Sequence, residues 1–372
     1  MPRRLVQIVT GLPPQVDGVG DYALGIAREL RSNEDVDSTF LIANPKWQGP
    51  NQVQGFAALA VAQRTRHAFY SGMEELLSSC EATPSTALLL HCSMYGLAKR
   101  ALPFWLAAGI EKWKAVFSDC TVMTMFHELD ATGPFWKSAF WLSPVQQWLL
   151  KRFAAQSTAV FVSNDGYLRN LSSMAGLSVD EIEKLPVASN VGEPALTSMK
   201  RVSSRTRQLA IFGLRHTRDA IFEDPLRLAK LCRELAIERI VDIGPMAIQR
   251  SVPGTPVHSL GELDGSDVSA IFSESMFGLT LMEPTRLAKS GVFAALCAHG
   301  ICPIVMGKGS GSFDGLVEGV HYFHADRLKS CDGERLCRMS KAVHAWYGEH
   351  TLAIQARRYA AVAYGAVRPT LA

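Results

Sequence analysis

The sequence is poor in the features that advertise a function. Lys and Arg number 38 against 35 Asp and Glu, a net charge of +3 over 372 residues. That excess is too small and too dispersed to mark a protein built for a polyanion, and no nucleic-acid partner is expected. There is no Cys-x-x-Cys pair. The eight cysteines, Cys80, Cys92, Cys120, Cys232, Cys297, Cys302, Cys331 and Cys337, lie singly, several of them in apolar runs. They read as buried thiols of a reducing compartment. No stretch reads as a membrane span: the longest uncharged run, Ser290–Gly307, is interrupted by Gly291, Gly300 and Pro303 and reads as a helix followed by a strand. The apolar start ends at Gly11-Leu12-Pro13-Pro14, too short for a secretion-signal core, so a cytoplasmic protein is expected. Repeats and low-complexity segments are absent.

What is present is an ordinary core-forming composition, 48% apolar and 20% charged, in a chain long enough for two domains. Short apolar runs alternate with helical periodicity. Leu5–Thr10, Thr39–Ala43, Ala87–Leu90, Thr121–Phe126 and Ala159–Ser163 are strand candidates, with helical stretches such as Trp136–Trp148 and Asp165–Ser173 among them. A second series follows the polar stretch Leu196–Arg207, read as a linker: strands at Leu209–Phe212, Arg239–Ile243, Phe277–Met282 and Cys302–Met306, helices at Asp224–Ala236, Asp267–Ser273 and Ser290–His299. Two further helices close the chain, near Glu334–Tyr347 and Thr351–Ala366. Such βα alternation predicts an α/β fold with two parallel sheets covered by helices. Ligands of open α/β sheets bind beyond the carboxyl ends of the strands, so function is sought in the loops there.

Four loops hold candidate chemistry. In Gly11–Tyr22, Gly18 and Gly20 permit close approach of a phosphate or sugar to the backbone, or form a plain tight turn. At Met125–Asp130, His127 and Glu128 close a strand and either contact a substrate or are a solvated strand end. The spacing gives no zinc site, and no metal is expected. In Phe277–Ala295 a strand leads to Lys289-Ser290 and a helix of small residues. Lys289, Ser290 and the first helical N–H groups suit an anion, and Glu283 suits sugar hydroxyls; the bland reading is a capped helix with a surface lysine. In Ile211–Arg218 a strand runs into a loop with Arg215, His216 and Arg218, where guanidinium groups suit a diphosphate or simply face water.

Taken in order, these pieces resemble the GT-B glycosyltransferases, nearest the retaining, nucleotide-sugar-dependent group of family 4 type. The resemblance rests on Gly18 and Gly20, His127-Glu128, Leu185–Asn190, Gly213 with Arg218, Gly261-Glu262-Leu263, and Lys289-Ser290 through Ala298–Val305. It implies two Rossmann-like domains facing across a cleft: an acceptor domain over 1–197, a donor domain over 208–347, and a final helix, 348–372, returning to the first domain. By the same resemblance Gly20 lies by the donor phosphates or sugar, His127 contacts the transferred sugar, Arg218 and Lys289 neutralise the diphosphate, and Gly213 and Gly261–Leu263, with Glu262, belong to the nucleotide site. One departure stands out. The family's pair of glutamates would fall near Leu287 and Ala295, both apolar here. Either Glu283 takes over, or the chain is a divergent branch, or transfer has been lost and nucleotide binding kept.

The function expected is therefore transfer of a hexose from a nucleotide sugar to a glycan or lipid-linked acceptor, with retention, His127 and Glu283 being the catalytic candidates. The alternatives are a non-catalytic nucleotide-sugar or glycan-binding protein and, more remotely, an NAD-dependent oxidoreductase, which the absent third glycine of Gly-x-Gly-x-x-Gly disfavours. The aromatic and basic stretch Pro134–Trp141 with Trp148–Phe153 reads either as a helix packed on the first sheet or as a peripheral membrane contact.

Overall fold

The computed structural model describes residues 3–78, 86–129, 138–195, 199–328 and 331–365. Contacts divide the chain into two units, Met1–Pro186 with Leu352–Ala372, and Val187–Thr351. The first runs β1 (Arg3–Val9), α1 (Gly18–Asn33), β2 (Val36–Ile42), β3 (Gln52–Val53), β4 (Phe56–Ala60), α2 (Arg66–Ser78), β5 (Thr86–Ser93), α3 (Met94–Leu97), α4 (Phe104–Val116), β6 (Val122–Glu128), α5 (Ser138–Gln156), β7 (Ala159–Val162), α6 (Asp165–Ala175) and β8 (Ile182–Lys184). Its sheet has the order β3-β4-β2-β1-β5-β6-β7-β8. Every pairing is parallel except the β3–β4 hairpin. Helices cover both faces, which is why β1 and β5 are apolar almost without alternation, with Leu5, Val6, Ile8, Val9 and Leu88 to Leu90 all buried.

The second unit contains β9 (Thr206–Phe212), α7 (Arg215–Phe222), α8 (Pro225–Glu234), β10 (Arg239–Ile243), β11 (Val257–Gly261), α9 (Gly265–Glu274), β12 (Ser275–Thr280), α10 (Gly291–Ala298), β13 (Cys302–Val305), β14 (Phe323–His324) and α11 (Gly333–Gly348). Its strands are ordered β11-β10-β9-β12-β13-β14, and all its pairings are parallel. Each sheet thus reverses direction of growth beside its first strand, between β1 and β5 and between β9 and β12, and at such a switch point the βα loops diverge and leave room for a ligand. The final helix, α12 (Leu352–Tyr364), belongs to the first unit and packs on α1. Gly25 makes that approach close, since a Cβ there would stand 2.9 Å from Leu352.

The structure differs from the expected layout in three places. The chain passes between units at Pro186/Val187 and again at Thr351/Leu352, not in the polar stretch 196–207. There Arg205, 5% exposed, donates to the carbonyls of Ser275 and His299 at 3.3 and 2.8 Å, which fixes the approach to β9 within the second unit. Residues 215–218, expected as loop, belong to the helix Arg215–Phe222. The helix at α1 begins at Gly18 rather than Tyr22, because Asp17 caps it, its carboxylate accepting from the N–H groups of Val19 and Gly20 at 2.9 and 3.3 Å. Residues 134–137 of the aromatic stretch lie outside the described residues.

Candidate functional site

In the first unit the carboxyl ends of β1, β5 and β6 meet the start of α1. Gly18 and Gly20 do not supply left-handed backbone there, since neither has positive φ. Their role is steric. A Cβ on Gly20 would lie 2.2 Å from the carbonyl oxygen of Gly11, so the glycine lets α1 press against the loop after β1, while Gly18 is exposed with nothing near it. Thr10 Oγ1 donates to the second oxygen of Asp17 at 2.5 Å, tying strand end to cap.

His127 stands at the end of β6, 6% exposed, and is the outer member of a buried polar chain. Gln7 donates its amide N–H to Ser38 Oγ (3.0 Å), leaving Gln7 Oε1 to accept from His91 Nε2 (2.8 Å); His91 Nδ1 is then an acceptor and lies 3.1 Å from His127 Nε2. This sequence of donors assigns the proton on His127 to Nε2. Burial, with the neighbouring His127 second, holds the pKa of His91 well below its ordinary value, so the His91 ring is neutral. Tyr22 packs edge-on against both imidazoles, and its hydroxyl reaches Gln355 Oε1 at 2.5 Å and the Tyr359 hydroxyl at 2.9 Å. Glu128 accepts from Ser93 Oγ at 2.8 Å.

In the second unit the switch point lies between Gly213, after β9, and the loop after β12. That loop carries Glu283, exposed; a 3-10 turn over Pro284–Lys289; half-buried Lys289; and Ser290, buried, which caps α10 by accepting from Phe293 N at 3.2 Å. The N–H groups of Gly291 and Val292, in the first turn, have no acceptor within the helix, and the dipole makes this end positive. Gly307 lets the loop after β13 approach: a Cβ there would be 2.2 Å from Met282 O. Leu287 and Ala295 are fully buried, and Ala295 lies in the apolar cluster with Ala210, Phe272 and Leu296.

Arg218 does not face a ligand. Its side chain is wholly buried on α7, with Nη1 2.9 Å from each oxygen of Asp242, Nε 3.0 Å from Gly213 O, and Nη2 donating to Pro245 O. The expected diphosphate contact is therefore replaced by an internal ion pair. Arg250 adds a bond to Asp242 at 3.1 Å and one to Asp219 at 2.5 Å. Together these groups bind the loop after β9 to the loop after β10, where Gly244, φ 145°, passes so near Gly213 O that a Cβ would sit 2.2 Å away. Gly213 itself has φ 147°. Glu262 is exposed after β11, whereas Leu263 packs on the apolar cluster beneath. Among the described residues no group of three or more His, Cys, Asp or Glu side chains could hold a metal ion, and seven described cysteines are free thiols.

No protein-family model matches the sequence, and no curated protein matches it. Solved structures do match. One is an α-glucosyltransferase in complex with UDP and a 13-mer DNA containing an HMU base: TM-score 0.59, 12% identity, over 97% of this chain and 99% of that one. Another is the trehalose-6-phosphate synthase OtsA: TM-score 0.58, 10% identity, over 98% and 99%. A third is the apo form of the lipopolysaccharide outer core galactosyltransferase WaaB: TM-score 0.52, 9% identity, over 96% and 98%. The fold is GT-B. Its two parallel sheets are the expected ones, and at identities this low the GT-B likeness is one of architecture. Sequence inspection missed the polar residues that organise this GT-B chain's strand ends. Gln7 inside Leu5-Val6-Gln7-Ile8-Val9, His91 after Leu88-Leu89-Leu90 and Asp242 inside Arg239-Ile240-Val241-Asp242-Ile243 carry the available signal, a polar side chain in a doubly buried strand.

Proposed function

We propose that this chain is a glycosyltransferase that moves a hexose from a nucleoside-diphosphate sugar to a glycan or lipid-linked acceptor, with retention at the anomeric carbon. The observation that carries the reading is the loop after β12: at the switch point it gathers Glu283, Lys289, Ser290 and the open first turn of α10. Negative charge that builds on the departing diphosphate is met there by Lys289 and by oriented N–H groups, positive potential that needs no reorganisation. Glu283 accepts donor hydroxyls. His127, its proton placed on Nε2 by His91, contacts the transferred sugar, as in the family the sequence resembles. This scheme calls for no resident metal.

Activity is tested with a panel of nucleotide sugars and candidate acceptors, and the site by calorimetry with UDP and GDP. Lys289→Ala is expected to weaken diphosphate binding by about 1–3 kcal/mol; unchanged affinity removes Lys289 from the site. A second reading, nucleotide-sugar binding without turnover, is favoured by one observation: Leu287 and Ala295, where the family's glutamates would fall, are core positions with no exposure. Tight diphosphate binding by a preparation that turns over no nucleotide sugar would select it.

A further inference from the structure

The outer face of α5 is apolar. Trp141, Val145 and Trp148, at i, i+4 and i+7, are 69%, 36% and 48% exposed, while Gln146, Leu149, Leu150 and Phe153 on the opposite side are buried. One stripe of the helix therefore completes the core of the first unit, and the other faces outward with side chains that water does not favour. Phe104, at the start of α4 and 45% exposed, extends the patch, its ring 6.1 Å from that of Trp148.

The charge carried by α5 itself has one sign. Ser138–Gln156 contains Lys151 and Arg152 and no carboxylate. Arg152 lies over the Trp148 ring at 4.6 Å and is neutralised by Glu111, its Nε 2.9 Å from Oε1. Lys151 is exposed, as are Lys99 and Arg100. Arg100 adjoins α5 directly, its carbonyl accepting from Gln146 Nε2 at 2.9 Å. Among the described residues none of these three cations is in an ion pair.

Exposed indole rings beside unneutralised cations match the interfacial layer of a bilayer, where the ring sits at headgroup depth and the cation meets lipid phosphate. No described helix is long and apolar enough to cross a membrane, so the contact is peripheral. We propose that the α5 face, Trp141, Val145 and Trp148 with Phe104, Arg100, Lys99 and Lys151, docks the protein on an anionic lipid bilayer. The proposal does not depend on the transferase reading, and its test involves no sugar.

The full chain is sedimented with vesicles of phosphatidylcholine alone and of phosphatidylcholine mixed with phosphatidylglycerol. It partitions to the mixed vesicles, added salt releases it, and brominated lipid quenches its tryptophan fluorescence. Trp141→Gln with Trp148→Gln lowers the partition coefficient about tenfold or more, and Lys99→Ala and Lys151→Ala lower it roughly fivefold each, with melting temperature and circular dichroism unchanged. Folded wild-type protein left in the supernatant with mixed vesicles overturns the proposal, as do variants that fold normally and partition like wild type. Concentration-dependent self-association abolished by the Trp pair, without vesicle binding, assigns the face to a second copy instead.

Discussion

Toward the carboxyl end of the first unit's sheet the buried polar groups are linked through a neutral imidazole, His91, whereas the same place in the second unit is held by buried charge. Ser38, Gln7, His91 and His127 pass hydrogen bonds along one line, and Tyr22 closes it from α1. Arg218, Asp242 and Arg250 instead clamp two loops by ion pairs. Both units repeat the strand order around a switch point, so the topology did not dictate the choice. A hydrogen-bonded chain through a neutral His91 orients the next imidazole at modest desolvation cost. The charged clamp holds backbone, spending its donors on Gly213 and Pro245 carbonyls, and so leaves Arg218 nothing for a ligand.

Breaking the charged clamp has the largest expected effect. Asp242→Ala strands Arg218, 0% exposed, without its counter-charge, and is expected to lower unfolding free energy by about 3–5 kcal/mol in a denaturant titration. A loss below about 1 kcal/mol would mean the clamp contributes little. Gln7→Leu removes the acceptor of a buried imidazole N–H and is expected to cost about 1–3 kcal/mol, less than the charged case because a neutral group is left unpaired. Equal losses at the two sites would erase the distinction between them.

Acid sharpens the comparison most gently, since both units bury histidines that the fold keeps neutral, His91 in the first and His299 and His350 in the second. Burial holds His91 well below its ordinary pKa and lowers His299 to about 4, where its Nε2 lies 2.7 Å from Ser269 Oγ. Both depressions favour the neutral ring in the folded state. The unfolded chain therefore binds more protons once the pH falls below the unfolded value of about 6.5, and stability, complete above that value, is lost progressively as the pH falls toward 4. The expected slope is about 1 kcal/mol per pH unit for each histidine. His299→Gln should flatten it; an unchanged profile would take His299 out of the acid response.

Much of the fold was legible because strands buried on both faces must be apolar throughout. Leu5–Thr10, Ala87–Leu90 and Cys302–Met306 overlap β1, β5 and β13 for that reason. Shorter or edge elements were not, for β11 carries His258 and Leu260 outward and shows no continuous apolar run. The candidate site was legible where capping chemistry writes itself into sequence, as at Ser290 before α10. It was misread where a long polar side chain turns inward, as Arg218 does, because a guanidinium in a short polar segment after a strand looks the same whether its partner is a phosphate or an internal aspartate.

By itself the sequence determined the alternation of strand and helix, the parallel sheets, and the loops that follow their carboxyl ends, since periodicity and capping act over a few neighbouring residues. Only the tertiary structure decided that Tyr22 meets Gln355 and Tyr359, that Gln7 and His91 set the proton on His127, and that Arg218 belongs to Asp242. Each of those joins residues 24 to more than 300 positions apart, and the partner of a polar group is fixed by which side chains the packed core brings within bonding distance.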